Sequence, residues 1–276
     1  MLENPKVLSE LERAFETELT RVRSILDDAE LLLRRCDLDS FDMLVVLGSG
    51  YLPLAEQIGD IRAEFPFFEI PGVKTPTAQG HGDKIMAVKH RDKNILVYTG
   101  RSHLYEGLDP YTVCLPERVA AATGIKCAFL TNAGGTVQDW ALGDSMTITD
   151  HINLSGASPF SGPCFTDISQ VWDPELSMII SQFTNREGTY CICKGPEYQT
   201  FAESRYLKTI GVDMVGMSTV LEAIALHQLG IKVCGVSLVS DLSFSTEEVS
   251  QDTVISAVHN SLPQVLEAIH SVADSL

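Results

Sequence analysis

Hydrophobic positions recur along the chain with two different periods. Leu11, Phe15, Leu19, Val22, Ile25, Ala29 and Leu32 stand three or four apart, which predicts a long N-terminal helix ending near Arg35. Ser9 and Glu12 at its start read as a capping box. Residues 43–47 form a continuous apolar run, the pattern of a strand buried on both faces. Similar runs predict strands at 84–89, 94–99, 126–131, 145–149, 190–194 and 232–240, with Asp92-Lys93 turning the first two into a hairpin. Helical spacing marks 111–123, 175–185, 202–210, 220–229 and 250–276. The last carries Val254, Val258, Leu262, Val265 and Ile269 on one face and a kink at Pro263. Residues 60–79 are Pro-rich and read as loop or edge strand, and 153–174, rich in Ser, Gly and Pro, as a long loop. Long loops inside compact domains are usually functional. The alternation predicts an α/β fold: one domain over residues 1–276, with a mixed, partly parallel central sheet flanked by helices.

Charge narrows the partners. Asp and Glu total 37 against 20 Lys and Arg, a net charge of −17. That excludes nucleic acid and anionic membrane surfaces, both of which need basic surface. An acidic chain that binds an anion must do so at a local site rich in N–H donors. The seven cysteines sit mostly in apolar runs and show no CxxC or Cys/His ligand spacing, so buried reduced thiols are expected and a metal is not. The N-terminus has no apolar signal-like region and no run is long enough to span a bilayer, which points to the cytoplasm.

Four segments have the residues such a site needs: Leu47-Gly48-Ser49-Gly50, residues 100–107 (GRSHLYEG), residues 131–135 (TNAGG) and Gly216-Met217-Ser218-Thr219. Each follows an apolar, strand-like run, and ligands of open α/β sheets bind beyond strand ends. The last opens a helix, whose first N–H groups attract anions. Arg101 and His103 flank Ser102, so on an extended stretch they share a face. Two cationic donors with a nearby hydroxyl can hold a tetrahedral oxyanion. The plainer reading is an Arg101–Glu106 surface pair, and Glu106 also reads as an anchor for both Arg101 and His103. His151 reads as a hydrogen-bonded structural residue.

Taken with GHGDK at 80–84, GDSMTITDHINLSG at 143–156, GPEYQTFAES at 195–204 and GVDMVGMSTVLEAIALHQLG at 211–230, these segments closely resemble the trimeric purine nucleoside phosphorylases in order and spacing. The resemblance implies a nucleoside phosphorylase fold and a pentosyltransferase. A purine nucleoside and inorganic phosphate, the co-substrate, would give free purine and pentose 1-phosphate without another cofactor. It places phosphate among Ser49, His81, Arg101, His103, the Ala133 N–H and Ser218. It places the nucleoside against Tyr105, Tyr198, Gln199, Val215, Gly216, Met217, Ser240, Asp241 and Gln251. His103, Gln199 and Asp241 would carry the catalytic roles. Phe165, on the long loop, would close over the nucleoside of a neighbouring subunit, which implies a homotrimer.

The chain departs from the pattern at the base. Where 6-oxopurine enzymes carry Glu and Asn, it has Gln199 and Asp241. An amide can accept or donate, whereas a carboxylate donates only when protonated. A neutral Asp241 could give its proton to N7 and accept from a 6-amino group, so a 6-aminopurine-preferring phosphorylase of adenosine or methylthioadenosine stays open. So does a catalytically weak nucleoside-binding relative. Gln251 stands at the 5′-hydroxyl position and favours a true hydroxyl there. TNAGG is one residue shorter than the usual form, which leaves Ala133 the least secure phosphate contact.

Overall fold

The protein is described by a computed structural model over residues 5–78, 80–246 and 261–276. Gln251, Val254, Val258 and His259 lie outside the described residues. Strand β1 (Met43–Val46) is buried along its whole length, as its apolar run requires. It pairs in parallel with β4 (Lys93–Tyr98) on one side and β5 (Cys127–Thr136) on the other. β4 forms a hairpin with β3 (Lys84–His90), and β2 (Asp60–Pro66) is the antiparallel edge strand beyond it.

Strand β5 does more than its neighbours. Residues 127–130 pair with β1, while Gly135 and Thr136 pair antiparallel with β8 (Met214–Gly216). Along its other edge β5 runs parallel to β9 (Lys232–Leu242), with the register shifting between Gly134 and Gly135. From β8 the pairing continues through β7 (Arg186–Ile192) to β6 (Ser145–Asn153), and β6 returns to β9. Five strands therefore close on themselves while β1 to β4 extend as an open sheet. Such an irregularity bends a strand and raises its twist, which lets one strand serve both parts.

Alternate side chains of the central strands enter two cores. Leu44, Val46, Ala128 and Leu130 face helices α1 (Pro5–Cys36), α3 (Leu115–Ala122) and α6 (Val220–Gln228). Met43, Val45, Cys127 and Phe129 face α4 (Pro174–Ile180) and α7 (Leu262–Asp274). Two further helices are short: α2 (Pro110–Val113), separated from α3 at Cys114, and α5 (Phe201–Thr209).

Several boundaries differ from the sequence expectation. Helix α1 runs over Pro5–Cys36, so Ser9 and Glu12 lie within it and not at its start. Its apolar stripe is only partly used: Ile25, Ala29 and Leu32 join the core, whereas Leu19 and Val22 are half exposed. At 32 residues and about 1.5 Å per residue the helix is about 48 Å long. The expected helix over 111–123 is two helices, because Pro116 has no N–H to continue the first. Pro263 falls in the first turn of α7, where the missing N–H costs nothing, and produces no kink. TNAGG continues β5 as strand and is not a turn. Cys164 is exposed, unlike the buried thiols expected. No described helix is long and apolar enough to cross a membrane.

Gly48, just past β1, touches the backbone of β5. A Cβ there would lie 2.6 Å from the Thr131 carbonyl oxygen and 2.9 Å from Asn132 Cα, neither of which can swing aside. Gly48→Ala is therefore expected to destabilise the protein by about 1–3 kcal/mol, through overpacking. Denaturant unfolding should show a lower midpoint at unchanged slope, and an unchanged midpoint would mean that β1 and β5 can part without cost.

Candidate active site

The strand ends and loops described above meet around one cleft of about 720 Å³ including its open mouth. That size suits a small ligand. Ser49, His81, Arg101, His103, Ala133 and Ser218 line it, together with Tyr105, Tyr198, Gln199, Val215, Gly216, Met217, Ser240 and Asp241. Arg101 and His103 lie on an irregular stretch after β4 and not on a strand, yet both reach the cleft.

Arg101 is the only arginine among the described residues of the lining, and it is 3% exposed. Its Nε donates to Glu222 Oε1 at 2.8 Å and Nη1 donates to the Thr131 carbonyl. Nη2 is buried and has no partner among the described residues. A buried N–H normally finds an acceptor, so the guanidinium keeps its Nη2 amino group for something that enters the cleft. Glu222 comes from the first turn of α6. The expectation that Glu106 holds Arg101 is corrected: Glu222 does so, and Glu106 binds elsewhere.

Glu106 sits in a short 3₁₀ turn directly after His103. It accepts from the His103 backbone N–H at 2.6 Å and from ring Nδ1 at 3.0 Å, and from the Thr77 N–H and hydroxyl. Burial opposes its charge, but the bonds from His103 and Thr77 prevail and hold the carboxyl at about 2. With Nδ1 committed, Nε2 is the free nitrogen of His103. The ring stacks on Tyr105 with centroids 4.6 Å apart, and His81 meets its edge at 5.0 Å.

His81 is fixed as one tautomer. Its Nδ1 accepts from the Arg101 backbone N–H at 3.3 Å, which leaves the proton on Nε2 to donate to Ser49 Oγ at 3.0 Å. The Ser49 hydroxyl hydrogen is then free to point at an anion. Burial, together with the His103 and Arg101 charges, pushes the His81 ring down to about 3.

Ser218 is presented by a strained turn. Thr219, at φ 77° and ψ −48°, is a β-branched residue at positive φ, and the Val220 N–H donates to the Ser218 carbonyl at 2.9 Å. This is the rare γ-turn, costly for a residue with a Cβ. Asn132 holds it in place. Its Nδ2 donates to Thr219 Oγ1 at 3.0 Å, and its Oδ1 accepts from Ser237 at 2.6 Å.

Asp241, near the end of β9, also lines the cleft, with Oδ1 buried and unpartnered among the described residues. Burial pushes its carboxyl up to about 6. Gln199 precedes the capping box of α5, in which Thr200 and Glu203 exchange hydrogen bonds.

The cleft thus gathers every expected site residue except two. Phe165 is 97% exposed on the long loop and does not line it. Gln251 is outside the described residues. The sequence reading missed Glu222 and the positioning role of Asn132. One signal for Glu222 was available: it is the lone charge in Val-Leu-Glu-Ala-Ile-Ala-Leu, a helix start with no second polar face. His151 is structural as expected, accepting from Trp172 Nε1 at 3.2 Å.

The Phosphorylase superfamily profile matches residues 42–276. A purine nucleoside phosphorylase of Cellulomonas sp is 38% identical over 255 residues, covering 89% of this chain and 90% of that protein. One from Mycobacterium tuberculosis is 40% identical over 234 residues, covering 83% and 87%. The crystal structure of Schistosoma mansoni purine nucleoside phosphorylase in complex with adenosine superposes with a TM-score of 0.83 at 26% identity, over 92% of this chain and 98% of that one. The chain belongs to the phosphorylase superfamily, and within it to the purine nucleoside phosphorylases. The fold and the resemblance read from the motifs agree with this.

The depressed His81 ring has a stability consequence. Below the ordinary histidine value of about 6.5 the unfolded chain takes a proton that the folded one refuses until about pH 3. Stability should therefore fall as pH drops through that window. His81→Asn, which cannot titrate, should show a flatter melting temperature between pH 6.5 and 4 than the wild type. Parallel curves for the two proteins would contradict the buried neutral ring.

Proposed function

We propose that the protein is a pentosyltransferase that cleaves purine nucleosides with inorganic phosphate, giving the free base and pentose 1-phosphate. The observation that carries this is Arg101 Nη2, buried without a partner among the described residues, in the cleft that the Ser49 hydroxyl bonded to His81 also lines. His103 Nε2, Ser218 and the Ala133 backbone complete the phosphate site in this reading. Breaking a glycosidic bond builds positive charge on the sugar. A phosphate dianion held against it both attacks and stabilises that charge, and holding it there removes much of the entropic barrier. Tyr105 and Met217 would pack on the ribose and Tyr198 on the base. Gln251 would meet the 5′-hydroxyl. The reading includes a homotrimer, in which a neighbour's loop brings Phe165 over the nucleoside; its nearly full exposure in a single chain supports this.

A side-by-side assay of base release from inosine, guanosine and adenosine, with and without phosphate, tests the reaction. Arg101→Ala should raise the phosphate KM and lower kcat, by about 2–4 kcal/mol in kcat/KM. Release that needs no phosphate, or a variant with wild-type phosphate dependence, would refute the assignment.

A second reading concerns the base, and Asp241 favours it. A site that pairs N1–H of a 6-oxopurine through a carboxylate rejects a base lacking that proton, because its buried acceptor goes unpaired. Gln199 removes that constraint. Asp241, with a carboxyl at about 6, can be protonated near neutral pH, give a proton to the leaving purine and accept from a 6-amino group. Ionised, it would repel the electron-rich leaving base. kcat/KM for adenosine should therefore decline as pH rises through about 6, and Asp241→Asn should lose that decline. Phosphate's own ionisation is common to both proteins and cancels in the comparison. With Gln199→Glu added, preference should move to 6-oxopurines. Efficient inosine cleavage with adenosine ignored, unchanged in the double variant, would sink this reading.

A further inference from the structure

Outside the cleft lining, Arg101 meets more negative charge than it can balance. Glu222 on α6 and Glu117 on α3 are each 1% exposed, and the two helices pack together. Glu222 Oε1 takes the Arg101 Nε bond, but Glu222 Oε2 and Glu117 Oε2 are buried without a donor among the described residues. The two carboxyl groups lie within side-chain hydrogen-bonding reach of each other. The other titratable or charged groups around them are committed. Tyr98 donates to the Pro116 carbonyl, Arg118 donates to the carbonyls of Pro159 and Tyr111, and Cys114 is a buried thiol pushed up by that burial. Asp28 faces Tyr98 from α1 and adds only negative charge. One guanidinium therefore serves two carboxyl groups. Two ionised carboxylates are acceptors only and repel, whereas a single proton between them makes an O–H···O bond.

We propose that Glu117 is a positioning residue for phosphate binding: its carboxylic O–H donates to Glu222, and Glu222 so fixed holds Arg101 with Nη2 toward the incoming phosphate. The proposal rests on the reading of Arg101 as a phosphate donor. Burial, reinforced by the Glu222 charge, holds the Glu117 carboxyl well above the usual carboxylate range. Loss of the proton at high pH would leave two negative charges behind one cation and draw the guanidinium away from phosphate.

The test measures KM for inorganic phosphate and for nucleoside across pH in the full-length protein. Glu117→Leu, which removes the donor at similar volume, should raise the phosphate KM about tenfold while the nucleoside KM stays within about twofold. Glu117→Gln keeps an N–H donor without a titrating group. It should bring the phosphate KM back to within about threefold of wild type and abolish its rise on the alkaline side. At about pH 8, where Asp241 is ionised, the infrared carbonyl band of a protonated carboxyl should be present in the wild type and lost in Glu117→Gln, which decides the matter even if the Leu variant does not fold. Absence of that band in the wild type, or phosphate KM and pH profile unchanged in both variants while Arg101→Ala shifts them, would overturn the proposal. If Arg101→Ala also leaves phosphate KM unchanged, the phosphate site itself has been misread and the proposal falls with it.

Discussion

Removing an ion from water costs several kcal/mol even after relaxation, and a buried pair recovers this only if its remaining donors and acceptors are satisfied. Arg101 and Glu222 are both buried, and nearly everything around the cleft follows from satisfying them. The guanidinium takes its partners from α6 and from the backbone of β5. Its own backbone N–H orders His81, which orders Ser49. Segments far apart in the chain are thus tied to a single cation, whose Nη2 amino group has no partner among the described residues. That arrangement is expensive for a purely structural residue and natural for one that waits for an anion.

The fold supplies the place where such a residue can stand. Strand β5 is shared between the open sheet and the closed ring, and its irregularity at Gly134 and Gly135 lies in the cleft wall. Backbone there must come close to β8. A Cβ on Gly134 would sit 2.7 Å from the Val215 carbonyl oxygen. The strained γ-turn at Thr219 is the matching device beside that strand. Asn132 and Thr219 hydrogen-bond directly, so strand and turn hold each other in register. Polar residues of this kind, each satisfied by another, specify one geometry where apolar packing alone would tolerate several.

The sequence was legible where a single periodicity ruled a segment. The runs behind β1, β4 and β9 and the spacing in α6 are of that kind, since burial on both faces or on one face leaves a distinct pattern. TNAGG was illegible as strand because glycine carries no side-chain signal; only the pairing of β5 with β8 and β9 reveals it. Pro263 is compatible with a kink or with a first turn, and the start of α7, not the residue, decides between them. The segments holding Ser49, Arg101, His103 and Ser218 could be read because Ser, His, Arg and Gly at strand ends have few structural reasons to be there, whereas His81, Tyr198, Gln199 and Asp241 came from the family resemblance. Glu222 could not be assigned to Arg101 in the same way, since 121 residues separate them and local spacing says nothing of such a contact. Glu106, three residues from His103, was the nearer and mistaken choice for Arg101.

The pairing of β5 with β9 joins Cys127 to Lys232 and Thr136 to Leu242. During synthesis on the ribosome the first of these strands is finished long before the second emerges. At the usual rates of about 5–20 residues per second, the hundred residues between them take several seconds to make. Until then β5 has an unpaired edge, and Asn132 lacks both Ser237 and Thr219. The cleft therefore has no functional precursor among shorter lengths of the nascent chain. Loops with such wide sequence separation are slow to close, and an exposed strand edge invites association with other chains. The same connectivity that draws the site's residues together makes their assembly one of the last events in the life of the growing polypeptide.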